Sequence, residues 1–249
     1  MRRFQNYRAL GMDHLHLSTH GIGETLDTIV GAPGAYAKQE ELKAWLRADG
    51  WPYRVNVAVQ QLNYKQLPAL AAHEVESGAY HFVSLGFLPH YEWKGHVASV
   101  AVHPAELRPA IEDAADVLLK AGTLLTIRYH PLCHLRSDLW KYVVNARYVF
   151  FDPWEWNYPL ETRDAARLWQ EAVACGETVA CHEPCSGCLA YRHCGGWNRV
   201  YAAAFDGAGL TPVREVPHEY AGVWERDGGL HDLNPANAET GTIGATVTA

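Results

Sequence analysis

Residues 13 to 20, Asp13-His14-Leu15-His16-Leu17-Ser18-Thr19-His20, alternate strictly, so that Leu15 and Leu17 face one way while His14, His16, Ser18 and His20 face the other. The pattern returns over 53–60, where Val55, Val57 and Val59 oppose Arg54, Asn56 and Gln60. A third run, 79–87, is largely apolar with Ser84 and Gly86 on one face. A fourth, 124–130, sets Leu125 and Ile127 against Thr126, Arg128 and His130. Helical periodicity separates these runs, over 38–48 (Leu42, Trp45, Leu46), 65–76 and 104–121, the last opening on Pro104. A short helix over 2–10 precedes the first strand and stops at Gly11. Strand and helix alternating at this interval imply a parallel sheet with right-handed crossovers. An open doubly wound sheet buries both faces and reads as continuous apolar runs. A retained polar face instead predicts an α/β barrel or partial barrel, with helices outside and ligand-binding groups in the lumen. Singly, each polar residue is most simply a hydrogen-bonded interior group. Jointly, His16, Ser18, Arg54, Asn56, Ser84 and Arg128 predict a lumenal site.

The second constraint is the stretch CHEPCSGCLAYRHCGGWNRVY, residues 181–201, which holds four of the six cysteines, with Cys175 just before it. Cys185 and Cys188 are two residues apart, and Cys194 follows after five more. A C-x2-C turn lets two thiolates converge on one metal or cluster. Ser186-Gly187 eases that turn, and Gly195-Gly196 keeps the backbone close behind Cys194. Disulfides or packed free thiols are the plainer readings. The density and spacing favour a bound metal or iron-sulfur cluster.

Composition excludes several classes. With 249 residues and 48% hydrophobic content the chain can build a substantial core. A net charge of -7 without a basic block argues against nucleic acid or an anionic membrane as partner. No apolar run approaches a membrane span, and MRRFQNYRAL lacks the apolar core of a signal peptide. A reducing cytoplasm is therefore expected, which favours metal ligation over disulfides. From residue 131 the sequence becomes dense in aromatics. KYVV-NA-RYVFF reads as a hairpin, a helix is expected over 161–174, and another over 197–205. The expected organisation is a partial barrel over 1–130, a small cysteine-rich domain over 131–215 and a disordered polar tail over 216–249.

These segments resemble the radical S-adenosylmethionine enzymes, especially members with a C-terminal auxiliary iron-sulfur domain of the SPASM or twitch kind. Ser18-Thr19-His20-Gly21 is similar to the family's fourth-strand S-x-D-G segment, with His20 in place of the acidic residue. GETLDTIVGAPGAY resembles the loop and helix start that follow it. Arg54-Val55-Asn56-Val57, with Asn63 and Leu67, resembles the fifth strand and its helix. Cys185-x2-Cys188-x5-Cys194-x-Gly196 is similar to the core of the auxiliary cysteine motif. Cys181-x3-Cys185-x2-Cys188 also matches the family's radical-cluster spacing, but it follows a helix late in the chain and has Gly187 where an aromatic is usual.

The resemblance implies the C-terminal half of the radical barrel plus an auxiliary 4Fe-4S domain. It also implies S-adenosyl-L-methionine as cofactor of the complete enzyme, and chemistry through a 5′-deoxyadenosyl radical on a small-molecule or peptide substrate. The strands and cluster loop that open the family barrel would then come from a separate N-terminal half, or be missing from a truncated reading frame. Ser18 and Asn56 would help hold the cofactor's ribose and amino acid portions, and Arg54 and Arg128 would meet its carboxylate or an anionic substrate. An auxiliary cubane takes four thiolates. Cys185, Cys188 and Cys194 supply three, and Cys133 is favoured as the fourth over Cys181 or Cys175. The alternative is a non-catalytic binding domain stabilised by a cluster or by zinc, for which Cys181, His182 and His193 are further ligands.

Overall fold

A computed structural model describes residues 2–85, 97–144, 185, 187–190, 194, 196–197 and 199–220. The elements run α1 Arg2–Ala9, β1 Leu15–Ser18, α2 Glu24–Val30, α3 Ala35–Ala48, β2 Tyr53–Ala58, α4 Leu67–Ser77, β3 His81–Leu85, α5 Val97–Val100, α6 Pro104–Ala121, β4 Leu124–Arg128, β5 Val143–Val144 and α7 Arg199–Ala204. The chain is α/β. Its strands form one sheet in the order β1-β2-β3-β4-β5, every neighbouring pair parallel. Four strands and their intervening helices suit a partial β/α barrel, as the alternating pattern predicts.

The outer face of the sheet carries the core. In β2, Tyr53, Val55 and Val57 are buried while Arg54, Asn56 and Ala58 are half-buried. Val55 and Phe82 stand side by side with Leu125, as do Val57 and Ile127 across β3. Helices α4 and α6 cover this face with Leu67, Leu70, Ala71, Leu107, Ile111, Ala115 and Leu118, all nearly sealed from solvent. Each such aliphatic side chain contributes about 1.5–3 kcal/mol by leaving water. His103 caps α6 by accepting from Ala105 N, Pro104 occupies the first turn, and Gly122 closes the helix in the left-handed conformation.

Two expectations are corrected. Ser84 does not face the lumen: it shares its row with Val57 and Ile127 on the helix side. In an apolar strand either parity looks plausible, and only the register with β2 decides it. His81 faces the lumen instead, in one row with His16 and Arg54. His130 does not continue the polar face of β4, because the strand ends at Arg128 and Tyr129 adopts a left-handed backbone with φ 61. Val143–Val144, the start of the expected hairpin, joins β4 as a fifth parallel strand.

The second half of that hairpin, the helix over 161–174, and Cys175, Cys181, His182 and His193 lie outside the described residues. The described chain passes residue 215 and continues through Tyr220, which is buried, stacks on Trp140 at 5.5 Å and donates its hydroxyl to Ser137 O at 2.5 Å. The rest of the expected tail also lies outside. No helix among the described residues is long and apolar enough to cross a membrane.

Candidate functional site

Two places gather the chemistry, one on the turns beyond β4 and one on the polar face of the sheet. The first is a pocket lined by Cys133, Cys185, Cys188 and Cys194 together with Pro131, Ala190, Gly196, Leu210, Thr211 and Pro212. The thiols arrive from separate segments. Cys133 sits in a single 3-10 turn, Leu132–His134, that follows β4 through Pro131. Cys188 N donates to Cys185 O at 3.0 Å, which closes the C-x2-C turn. Cys194 precedes Gly196, whose positive φ of 62 lets its amide turn back toward the sulfur.

Backbone amides point at the sulfurs. Leu132 N and Gly196 N both donate to Cys194 Sγ at 3.4 Å, and Val213 N donates to Cys188 Sγ at 3.2 Å. Such donors favour the charged thiolate over the thiol. Burial works against them, pushing the Cys133 thiol up to about 11 and the Cys194 thiol up to about 12. Cys133 and Cys194 are therefore neutral thiols near pH 7, and a metal must displace their protons to bind. Under the pocket, Trp197 packs edge-on against His130 and His134, with centroids 5.1 and 4.9 Å away. His134 Nε2 donates to Pro104 O at 2.8 Å, which ties this floor to α6. Nothing in the sequence pattern marked His134 or Trp197 as partners.

The sulfur spacing tests the donor set. Among the described residues no three of these sulfurs lie within 4.8 Å of one another. A tetrahedral zinc with Zn–S of about 2.3 Å brings its sulfurs to about 3.8 Å apart. A cluster bonds each thiolate to a different iron and so holds the sulfurs farther apart. The described sulfurs are thus not gathered as closely as a ready-made tetrahedral zinc site would have them.

The second place is the lumenal face. His16, Arg54 and His81 form one row across β1, β2 and β3, and Ser18 and Asn56 form the next. Thr126 and Arg128 continue the face on β4. His81 is buried and its Nε2 bonds Thr126 Oγ1 at 2.8 Å. Burial, then the charge of Arg54, holds His81 down to about 3 and His16 down to about 4. Both rings are neutral at pH 7. The chain beyond Ser18 is bracketed by Asn63, which is 1% exposed and donates to His20 O and Ala58 O, both at 2.8 Å. Ala58 N in turn donates to His20 Nδ1 at 3.2 Å. His20 and Asn63 thus act here as structural brackets. Gly21 is obligatory at the same corner, since a Cβ would meet Thr25 Cγ2 at 2.7 Å.

The residues expected from the sequence therefore fall into two groups. Cys133, Cys185, Cys188 and Cys194 are brought together, and Ser18, Arg54, Asn56 and Arg128 share the lumenal face.

Over 130 residues, 51% of this chain, the sequence is 30% identical to the PqqA peptide cyclase of Methylocella silvestris, of which the match covers 34%. The chain thus aligns with about a third of the length of that relative. The match supports a relationship with the radical S-adenosylmethionine enzymes, to which that cyclase belongs. No family model matches the chain. No solved structure matches it either.

Proposed function

We propose that this chain is the C-terminal portion of a radical S-adenosylmethionine enzyme, that Cys133, Cys185, Cys188 and Cys194 hold an auxiliary 4Fe-4S cluster, and that the substrate is a peptide. The observation that carries the reading is the convergence of four cysteines, from both sides of a long stretch of chain, on one pocket with amides aimed at two of the sulfurs. The partial likeness to a peptide cyclase supports the substrate class. When bound, such a cluster supplies electron transfer or an anchoring iron beside the substrate.

The chain's own residues do the rest. Pro131 and the turn after β4 fix Cys133 at the barrel mouth. Leu210, Pro212 and Ala190 close the pocket with apolar surface and limit water at the sulfurs. Ser18 and Asn56 present a hydroxyl and an amide to the lumen for the cofactor, whose other contacts would come from the remainder of the barrel, in the same polypeptide or in a separate N-terminal half.

The test is anaerobic reconstitution with iron and sulfide. Cys133→Ala, Cys185→Ala, Cys188→Ala and Cys194→Ala should each lose most of the bound iron, because three thiolates hold a cubane poorly. Cys175→Ala and Cys181→Ala should keep it. Wild-type iron content in Cys188→Ala, or stoichiometric zinc without visible charge-transfer absorption, would reject the cluster.

A further inference from the structure

We propose that Arg214, laid on the C-x2-C turn at Gly187, is a positioning residue whose guanidinium offsets the negative charge gathered on the cysteine sulfurs. In a bound cluster this raises the reduction potential. The inference deepens the reading of the cysteine pocket given above and rests on it. Arg214 Nη1 donates to Gly187 O at 2.8 Å. The guanidinium arrives there on a short strap, residues 209–214. Its neighbour Val213 donates N–H to Cys188 Sγ at 3.2 Å and accepts from Leu189 N at 2.9 Å. Leu210, Thr211 and Pro212 line the pocket, and the Thr211 amide eases the upward push of burial on Cys133. Gly209 seats the strap against the start of α6. Its φ is 79, and a Cβ there would meet Pro104 Cβ at 2.7 Å and His134 Cδ2 at 2.9 Å. One strap therefore touches both cysteine turns, and Arg214 is its charged end.

Gly187 supplies the second observation. It is not among the glycines with positive φ, so the backbone of the turn does not demand a glycine there. An added Cβ would meet Arg214 Nη1 at 2.6 Å, and the next two atoms it would meet are the guanidinium carbon and Nη2 of the same residue. What a side chain at 187 would displace is the arginine. Thiolates bring negative charge to a bound cluster, and reduction adds one unit more. A cation close to the sulfurs therefore stabilises the reduced form more than the oxidised one, in the same sense as an amide aimed at sulfur. Arginine suits the task, since it stays charged at any working pH and its planar fork can lie against a backbone without Cβ. The side chain is exposed, so solvent screening limits the effect.

The experiment is an anaerobic redox titration of the reconstituted chain, with iron content measured first. Arg214→Gln should lower the reduced-to-oxidised ratio at a fixed potential by about threefold to tenfold, roughly 30–60 mV for one electron. Gly187→Ala should move the potential the same way with net charge unchanged, because the methyl group displaces the guanidinium. Arg214→Lys should recover part of the loss. Lys120→Gln, about 24 Å along α6 from Pro104, removes the same charge and should keep the wild-type potential. Wild-type potentials in both Arg214→Gln and Gly187→Ala would overturn the proposal, as would an equal shift in Lys120→Gln. If Arg214→Gln keeps no iron, Gly187→Ala and Arg214→Lys decide by the same titration. A wild-type chain that takes zinc but no iron rejects the cluster alone. The arginine is then read from zinc retention against a chelator, which both variants should weaken by about threefold or more. Equal retention would overturn it, and a chain that holds neither metal overturns both proposals.

Discussion

On the outer side of the sheet, Lys43 of α3 is 2% exposed and lies within hydrogen-bonding reach of two carboxylates, Glu40 at 2.9 Å and the wholly buried Glu74 of α4. On the lumenal side, Arg54 of β2 is half-buried and faces neutral imidazoles. The outer arrangement pairs the ammonium with acids, although Glu74 Oε2 is buried without a partner. Ligand atoms of Glu40, His73 and Glu74 come within 4.8 Å of one another, a spacing suited to a metal ion, yet the ammonium already stands among them. His73 adds a bond to Glu40 at 3.0 Å. Among the described residues, the fold thus meets the buried Lys43 with two acids and gives the half-buried Arg54 no printed acidic partner.

That contrast can be broken most sharply at Lys43. Lys43→Met strands the Glu74 carboxylate in the core and should lower stability by about 3–5 kcal/mol, read from urea midpoints. A double replacement, Lys43→Met with Glu74→Leu, should recover much of the loss, since apolar pairs of similar size often replace buried ion pairs at little cost. A single variant within 1 kcal/mol of wild type, by the same ~1 kcal/mol criterion used for surface pairs, would mean the network is not sealed as described.

Acid comes next in size. The folded state holds His81 near a pKa of about 3, against an ordinary value of 6.5, through burial first and Arg54 second. Below pH 6.5 the unfolded chain takes up a proton that the folded chain refuses, so stability is full above that pH and falls as pH drops toward the folded value. Between neutrality and about pH 5 the loss should be roughly 2 kcal/mol for a fully buried imidazole. His81→Asn should flatten this dependence. An unchanged slope in that variant would remove His81 from the account.

The smallest effect sharpens the comparison from the other side. Arg54→Met breaks no ion pair and relieves a desolvated charge, so stability should stay within about 1 kcal/mol of wild type or rise. A loss as large as that of Lys43→Met would show that Arg54 has a partner within the protein.

The lumenal face was legible where polar and apolar residues alternate. Period-two patterning placed Arg54, Asn56, His16 and Arg128 correctly because Val55, Val57, Leu17 and Ile127 mark the opposite face. In β3 the marker fails. His81, Phe82, Val83 and Ser84 are all buried, so parity carries no information, and Ser84 was put on the wrong side while His81 was missed. The cue that was available is the left-handed Gly78, which ends α4 and limits where β3 can begin. The C-x2-C spacing named Cys185 and Cys188 locally, and Pro131 after β4 pointed to Cys133. Their meeting is a long-range event that no local window contains. Lys43 reads as a solvated helix position, because the carboxylate that buries it lies 31 residues away on another helix.

The bond from Leu132 N to Cys194 Sγ joins positions 62 apart in sequence, and this fixes an order of events. Closing a loop of that length costs roughly 3–4 kcal/mol of chain entropy before any contact made there compensates it. Contacts within the βα units form between near neighbours and come cheaply by comparison. The cysteine pocket is thus a late acquisition of the folding chain, assembled on a sheet that already stands. Such a long-range contact is expected to open more readily than the paired strands. Amide hydrogen exchange should then find Leu132 N–H far less protected than the amides of β2.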